Sequence, residues 1–480
     1  MAVKSSELML TLLANLQQVL TGKDEDSPVA SDENTFITWL RAGIVYDPAD
    51  FNFGASPDDG ASEVDSSAKE TEQLKRQFEW AKLVNAIPKV SPVYDVDQSQ
   101  LDKVFDMILK QSQVVDNPIS EADLAKIAKY RDLLNPKEVS YTNLLGDQKT
   151  RIEYSPIMTA YDSCMTEYEN ALTDFTRLRI SAQNGVKGAA KEFAAVGSIL
   201  KKKVTNAREK WANDGYREEV DGMRAFIEQV TSRSLVLWKQ GLVNNIEMSR
   251  TTDLDSSDTY LWTSFLPGNF AKRSSGWTKF QFGSSEFSSS QKAATDTWGA
   301  SGGANWGLWS ASASTSGTST RTENNSNLND FQISFQIAQI PIVRPWFDPT
   351  FLKSRAWRLT AGGKASLGDM ASSGGSNPNG FLPAYTTFAI FVKDVTLNMK
   401  NENGSDAFSA LTTESSASVG WGPFKVRGNY NNSRSDRSIK TNASGGGISV
   451  EGMQLIGFKC MKLNYKSPNP HPEITENQWK

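Results

Sequence analysis

The feature that most constrains this chain is a heptad-spaced apolar seam running from residue 157 to residue 237. Ile157, Tyr161, Cys164, Tyr168, Ala171, Phe175 and Leu178 recur at alternating steps of four and three. Phe193, Gly197, Leu200, Val204, Ala207 and Trp211 do the same, as do Tyr216, Val220, Met223, Ile227, Val230, Ser234 and Leu237. A repeat averaging 3.5 residues keeps one stripe of a helix turned toward a partner helix. Asn184-Gly185 and Asn213-Asp214-Gly215 interrupt the seam with turn chemistry. The spacing therefore predicts three long antiparallel helices, or two if residues 189–248 form one helix with a phase slip at Gly215. A helix of 28 residues is about 42 Å long at ~1.5 Å per residue, so the bundle is elongated.

Shorter helical patterns precede it. Leu8, Leu12, Leu13, Leu16, Val19 and Leu20 form a stripe ending at Gly22, and helices are expected over Glu70–Ile87, Gln98–Gln113 and from Ser120 to just before Pro136. Phe36 to Phe53 mixes aromatics with turn formers and reads as irregular, packed structure. Residues 54–69 read as a loop.

After Arg250 helical spacing vanishes and Ser, Thr, Gly, Asn and aromatics dominate. Phe331, Ile333, Phe335 and Ile337 alternate with Gln332, Ser334 and Gln336, a period of two that marks a strand with one apolar face. A weak internal repeat runs through this half. Trp306-Gly307-x-Trp309 matches Trp421-Gly422-x-Phe424 at an offset of 115 positions, and Ile333-Ser334-Phe335 matches Ile448-Ser449-Val450 at the same offset. Lys279-Phe280-Gln281-Phe282 falls on Asp394-Val395-Thr396-Leu397 in the same way. The expected fold is α+β and multidomain: a helical region with irregular loops over 1–150, a long-helix bundle over 151–250, and a β-rich domain over 251–480. That domain is read as an antiparallel sandwich whose halves, 277–346 and 392–461, are related by duplication.

Charge and composition bear on function. A net charge of −4 with no excess of Lys and Arg gives no electrostatic footprint for nucleic acid. The two cysteines, Cys164 and Cys460, cannot make a structural zinc site and are expected to be free thiols. His471, the one histidine, lies between prolines, without a partner in the sequence to orient it. No phosphate-binding loop, GxSxG elbow or HExxH is present. The chain is therefore expected to be non-enzymatic and to need no cofactor or metal. No stretch approaches the ~20 apolar residues of a membrane-spanning helix, and Glu7, Thr11 and Asn15 interrupt the first stripe, so no secretion signal is read. A soluble protein made in the cytosol is expected, with non-classical release open.

Two features suggest action on a lipid membrane. Phe193, Val196, Ile199 and Leu200 lead into Lys201, Lys202 and Lys203, an apolar stretch beside a cationic cluster. The bundle seam accounts for the same apolar residues without a membrane. The second feature is the pair of Ser/Thr/Gly/Asn-rich hairpins around Trp306, Trp309, Phe331, Ile333 and Phe335 and around Trp421, Phe424 and Ile448. A membrane-spanning strand needs only ~9–11 alternating residues, although ordinary sandwich strands alternate too. A helical bundle followed by a β-sandwich is similar in plan to soluble pore-forming toxins, a resemblance of architecture that implies self-association into a homo-oligomer on lipid. The other functions the sequence allows are a self-assembling structural scaffold and a carbohydrate-binding β domain using the tryptophans.

Overall fold

The computed structural model describes residues 2–21, 34–54, 66–115, 121–142, 147–183, 189–231, 235–253, 258–284, 286–288, 290–291, 294, 325–327, 331–399, 413–415, 418–428, 441–444 and 447–480. Its longer helices are α1 (Ser5–Thr21), α2 (Ser66–Val84), α3 (Leu101–Gln111), α4 (Glu121–Leu134), α5 (Pro156–Gln183), α6 (Ala189–Asn213), α7 (Arg217–Thr231) and α8 (Leu235–Ser249). Its principal strands are β1 (Thr35–Tyr46), β2 (Ser264–Phe265), β3 (Thr278–Gly283), β4 (Phe331–Val343), β5 (Ala384–Met399), β6 (Thr441–Ser444) and β7 (Gly447–Lys462). The fold is α+β with antiparallel sheets.

These strands form one seven-stranded sheet around three long members, β4, β5 and β7, adjacent in that order. The outer edge of β4 is shared by β2 and β3, and that of β7 by β1 and β6. One face of the sheet is covered by α1, the other by α2 and the aromatic turn around Phe51. Helix α1 is buried on nearly every side, with Leu8, Met9, Leu12, Leu13, Ala14 and Leu16 fully enclosed.

The segment Phe36–Phe53, expected to be irregular, is largely strand β1 followed by a 3₁₀ turn. Ile37 and Trp39 face α1, whereas Leu40 packs on the α2 side. Because both faces are buried, the apolar run is nearly continuous and the period-two signature of a strand disappears. Cores also cross the change in composition near residue 250. The α1 core joins Leu8 and Trp39 to Phe282 and Ile456, and a separate core joins Phe105 of α3 and Trp238 of α8 to Trp346, Trp357 and Leu463.

The first two heptad runs fall on α5 and α6, whereas the third is divided between the shorter α7 and α8. Helices α5 and α6 pack antiparallel, with Trp211 beside Tyr161 and Tyr168 (ring centroids 5.4 and 5.6 Å apart) and Phe193 beside Phe175 (6.0 Å). Val220 and Met223 of α7 join Met158 and Tyr161 of α5, and Ile227 is buried against Ile127 of α4. The seam does not continue to Leu237, which is 44% exposed. Helix α8 starts at Leu235 and buries Leu235, Trp238, Leu242 and Ile246, a stripe shifted by one position. It serves a different core, that of α3 and Trp346, so its phase answers to another partner.

Beyond the end of β4, Arg344 closes α2. Its guanidinium donates to the carbonyl of Val84 (2.7 Å), Oδ1 of Asn85 (2.7 Å), and the carbonyl and Oγ1 of Thr386 (2.6 and 2.7 Å). The carbonyl of Val84 also accepts from Thr386 Oγ1 at 2.6 Å, so two donors meet this end of α2. Burial pushes Arg344 down to about 10.

Candidate functional site

The site that the structure singles out is the end of the sheet where β3, β4, β5 and β7 meet two long connections. Neighbouring strands run antiparallel. Residues 284–330 therefore leave β3 and return to β4 at the same end where residues 400–446 leave β5 and return to β7. The strand ends that the two connections join are thus side by side.

Rows across the four strands are regular here. Phe282 pairs with Ile333, Ile333 with Leu397, and Leu397 with Ile448. Phe282 and Ile333 are fully buried and Leu397 nearly so, all in the α1 core. The next row reads Gln281, Ser334, Thr396, Ser449. Gln281 is exposed, and the other three are half-buried. One face is thus apolar and the other polar. The pairings of β3 with β4 and of β5 with β7 also coincide at the offset of 115. Phe280–Phe335, Gln281–Ser334, Phe282–Ile333 and Gly283–Gln332 fall on Val395–Val450, Thr396–Ser449, Leu397–Ile448 and Asn398–Gly447.

A β-bulge closes this region. Asp394 has φ +54°, and the register shifts there against both neighbours, between Ser334 and Gln336 and between Lys393 and Val395. The side chain of Gln336 donates to Asp394 at 2.6 Å. The extra residue restores phase, so that Ile390 and Val392 before it and Val395 and Leu397 after it all face α1.

Helix α1 and parts of both connections cover the apolar face. Following β3, Phe287 is buried in the α1 core, and Ser290 accepts a hydrogen bond from Asn15 Nδ2 at 2.8 Å in a buried setting. From the second connection, the strands Thr413–Ser415, Ser418–Trp421 and Phe424–Gly428 form a meander. It seats Trp421 against Phe331 (5.2 Å) and Phe424 against Phe335 (5.3 Å). The fully buried amide of Gln454 on β7 bonds both the N–H and the carbonyl of Lys425, each at 2.8 Å. That enclosure also pushes the Lys425 ammonium pKa down.

The structure thus brings Phe331, Ile333, Phe335, Trp421 and Phe424 into one core and places Ile448 in the same row. Trp306 and Trp309 lie outside the described residues. The α6 stretch is divided. Phe193, Val196 and Leu200 are half-buried, while Ile199 is 56% exposed and Lys201, Lys202 and Lys203 project from the helix. Sequence reasoning found the stripe of α1 but not its central place, and Thr11 and Asn15, which interrupt that stripe, are both buried. Asn15 is in fact buried with its partner Ser290, 275 positions away. The bulge did leave a trace, the change of parity between Ile390/Val392 and Val395/Leu397.

Elsewhere, His471 is exposed, with Glu473 3.7 Å from its Nδ1. Cys164 and Cys460 are free and buried, and burial raises both thiols above their ordinary range. Among the described residues, no group of three or more His, Cys, Asp and Glu side chains could hold a metal ion. No described helix is long and apolar enough to cross a membrane. No family model matches the chain, and no curated protein or solved structure shows a significant match to it.

Proposed function

We propose that this chain is a non-enzymatic, self-associating protein that acts on membranes by extending its two connections as β-hairpins. The observation that carries the reading is the amphipathic end of the β3–β4–β5–β7 sheet, where two connections rich in Ser, Thr, Gly and Asn leave side by side. A strand that crosses a bilayer needs one lipid-facing and one water-facing row, the pattern these four strands already carry. Each connection has about 47 residues, so an extended hairpin would have arms of roughly 75 Å at ~3.3 Å per residue. A span needs only ~9–11 residues.

Homo-oligomerisation follows from the same geometry. Four strands leave two open edges, and a bilayer tolerates only a closed barrel, of which the smallest have about eight strands. Several copies must therefore contribute. The coincident register at an offset of 115 supports an internal duplication, one hairpin unit used twice. Exposed Ile199 with Lys201, Lys202 and Lys203 suits a first electrostatic contact with anionic lipid, since each such lysine near the surface contributes about 1 kcal/mol.

Release of an entrapped dye from phosphatidylserine-containing liposomes, with electron microscopy of the same vesicles, tests the reading. Release together with ring- or arc-shaped particles is expected. Intact vesicles bearing no particles would overturn it, and ordered assemblies formed without lipid would favour the scaffold.

A further inference from the structure

The contacts of α1 and the short strand before it extend the proposed membrane action to its control. The strand Ala2–Lys4 pairs antiparallel with Asn325–Asn327, inside the first connection, with Val3 opposite Ser326. Helix α1 then meets the first connection again at Ser290, through Asn15, and at Gln291, whose amide lies 3.4 Å from Glu7 Oε1. It meets the second connection at Gly422. That residue has φ +55°, and a Cβ there would lie 2.8 Å from Met9 Cε, so glycine allows the meander to close on the helix. The same helix buries the apolar row of Phe282, Ile333 and Leu397.

We propose that the segment from Ala2 to Thr21 is an intramolecular clamp that holds the two connections at Ser290, Asn325–Asn327 and Gly422, and that it must leave before either hairpin extends. This rests on the membrane reading above. The apolar face cannot turn toward lipid while α1 occupies it. The first connection cannot straighten while Asn325–Asn327 are bonded to Ala2–Lys4, and the second is stopped by the meander packed on Met9. One displacement frees all three, so the two hairpins are released together, which a barrel needing both from every copy requires. Asn15 is a buried polar residue whose amide donates to buried Ser290, so the hydrogen bond ties the helix to this arrangement.

The test is the double variant Val3→Cys/Ser326→Cys, two positions directly opposite in an antiparallel pair and so within the Cα separation that a disulfide spans. Cys164 and Cys460 are buried and do not compete. Bond formation is verified by mass spectrometry, and dye release from the same liposomes is measured before and after reduction. The clamp predicts at least a tenfold slower release in the oxidised form, restored by reducing agent. It also predicts release about fivefold faster in Asn15→Ala, whose clamp has lost one buried hydrogen bond. Equal rates in oxidised and reduced protein, while wild type leaks, would overturn the clamp and leave the membrane reading standing. Failure of wild type and reduced variant alike would overturn both.

Discussion

The two ends of the central sheet are built from the same three long strands and obey opposite rules. Past the bulge at Asp394, toward Ala384 and Lys462, both faces are apolar. Ile390 and Val392 pack on the α1 side, while Ala389 and Phe391 pack under α2 with Phe51, Trp80 and Phe270. On the other side of the bulge only the α1 face is apolar, and the opposite face carries Gln281, Gln332, Ser334, Thr396 and Asn398. A strand buried on both faces is committed to its place. One with a polar face can exchange the partner on its apolar face for another apolar medium at little cost to the polar one. The difference separates the anchoring part of the sheet from the part that we propose extends.

The comparison makes graded predictions. Phe391→Ala should cost about 3–5 kcal/mol of stability, since the ring meets Phe51, Phe270, Tyr46 and Trp80 with centroids 5.4, 5.1, 6.2 and 6.3 Å away. Denaturant unfolding measures it, and a loss below about 1 kcal/mol would mean that this end is not an anchor. Arg344→Met should cost roughly 3 kcal/mol, because it strips hydrogen bonds from the end of α2 and from Thr386. Asp394→Ala should cost about 1–2 kcal/mol, combining the lost Gln336 hydrogen bond with a left-handed conformation that alanine tolerates poorly. If it stabilised the protein, the bulge would not be what divides the sheet.

A smaller effect concerns pH. Glu169 of α5 lies 3.9 Å from Lys459 of β7, at the anchored end. Burial raises its pKa, and the Lys459 ammonium offsets only part of that rise. A raised acid holds its proton longer in the folded than in the unfolded chain. Its contribution to stability is therefore complete below the ordinary Glu range and declines as pH rises through the raised value. Melting temperature should fall slightly over that interval in wild type, and less in Glu169→Gln. Smallest of all, Thr396→Val on the polar face should change stability by no more than ~0.5 kcal/mol. A loss matching that of Phe391→Ala would erase the distinction between the ends.

What the sequence revealed follows the same division. The amphipathic end was legible in Phe331, Ile333 and Phe335, because one polar face leaves a period of two. Helices α5 and α6 were legible because each turns one stripe toward the other. Strand β1 was not, because Trp39 and Leu40 lie on opposite faces of a sheet buried on both, which removes the contrast on which periodicity depends. Helix α1 was legible as a stripe, but its enclosure on nearly all sides was not. Leu237 was misplaced because α8 turns to a different core from α7. The bond from Asn15 to Ser290 joins distant positions through a polar pair that spacing alone does not reveal.

The measurement that tests the central claim most directly is a scan of lipid exposure along the connections. Single cysteines at Asn325, Ser326 and Asn327 and at Thr413, Glu414 and Ser415, each labelled with an environment-sensitive fluorophore, are compared with and without liposomes. The account predicts that on vesicles successive positions alternate between lipid and water, with the period of two that a membrane-spanning strand imposes. Emission that stays water-like at all six positions while the protein makes the vesicles leak would contradict it, since the membrane would then be breached without these strands.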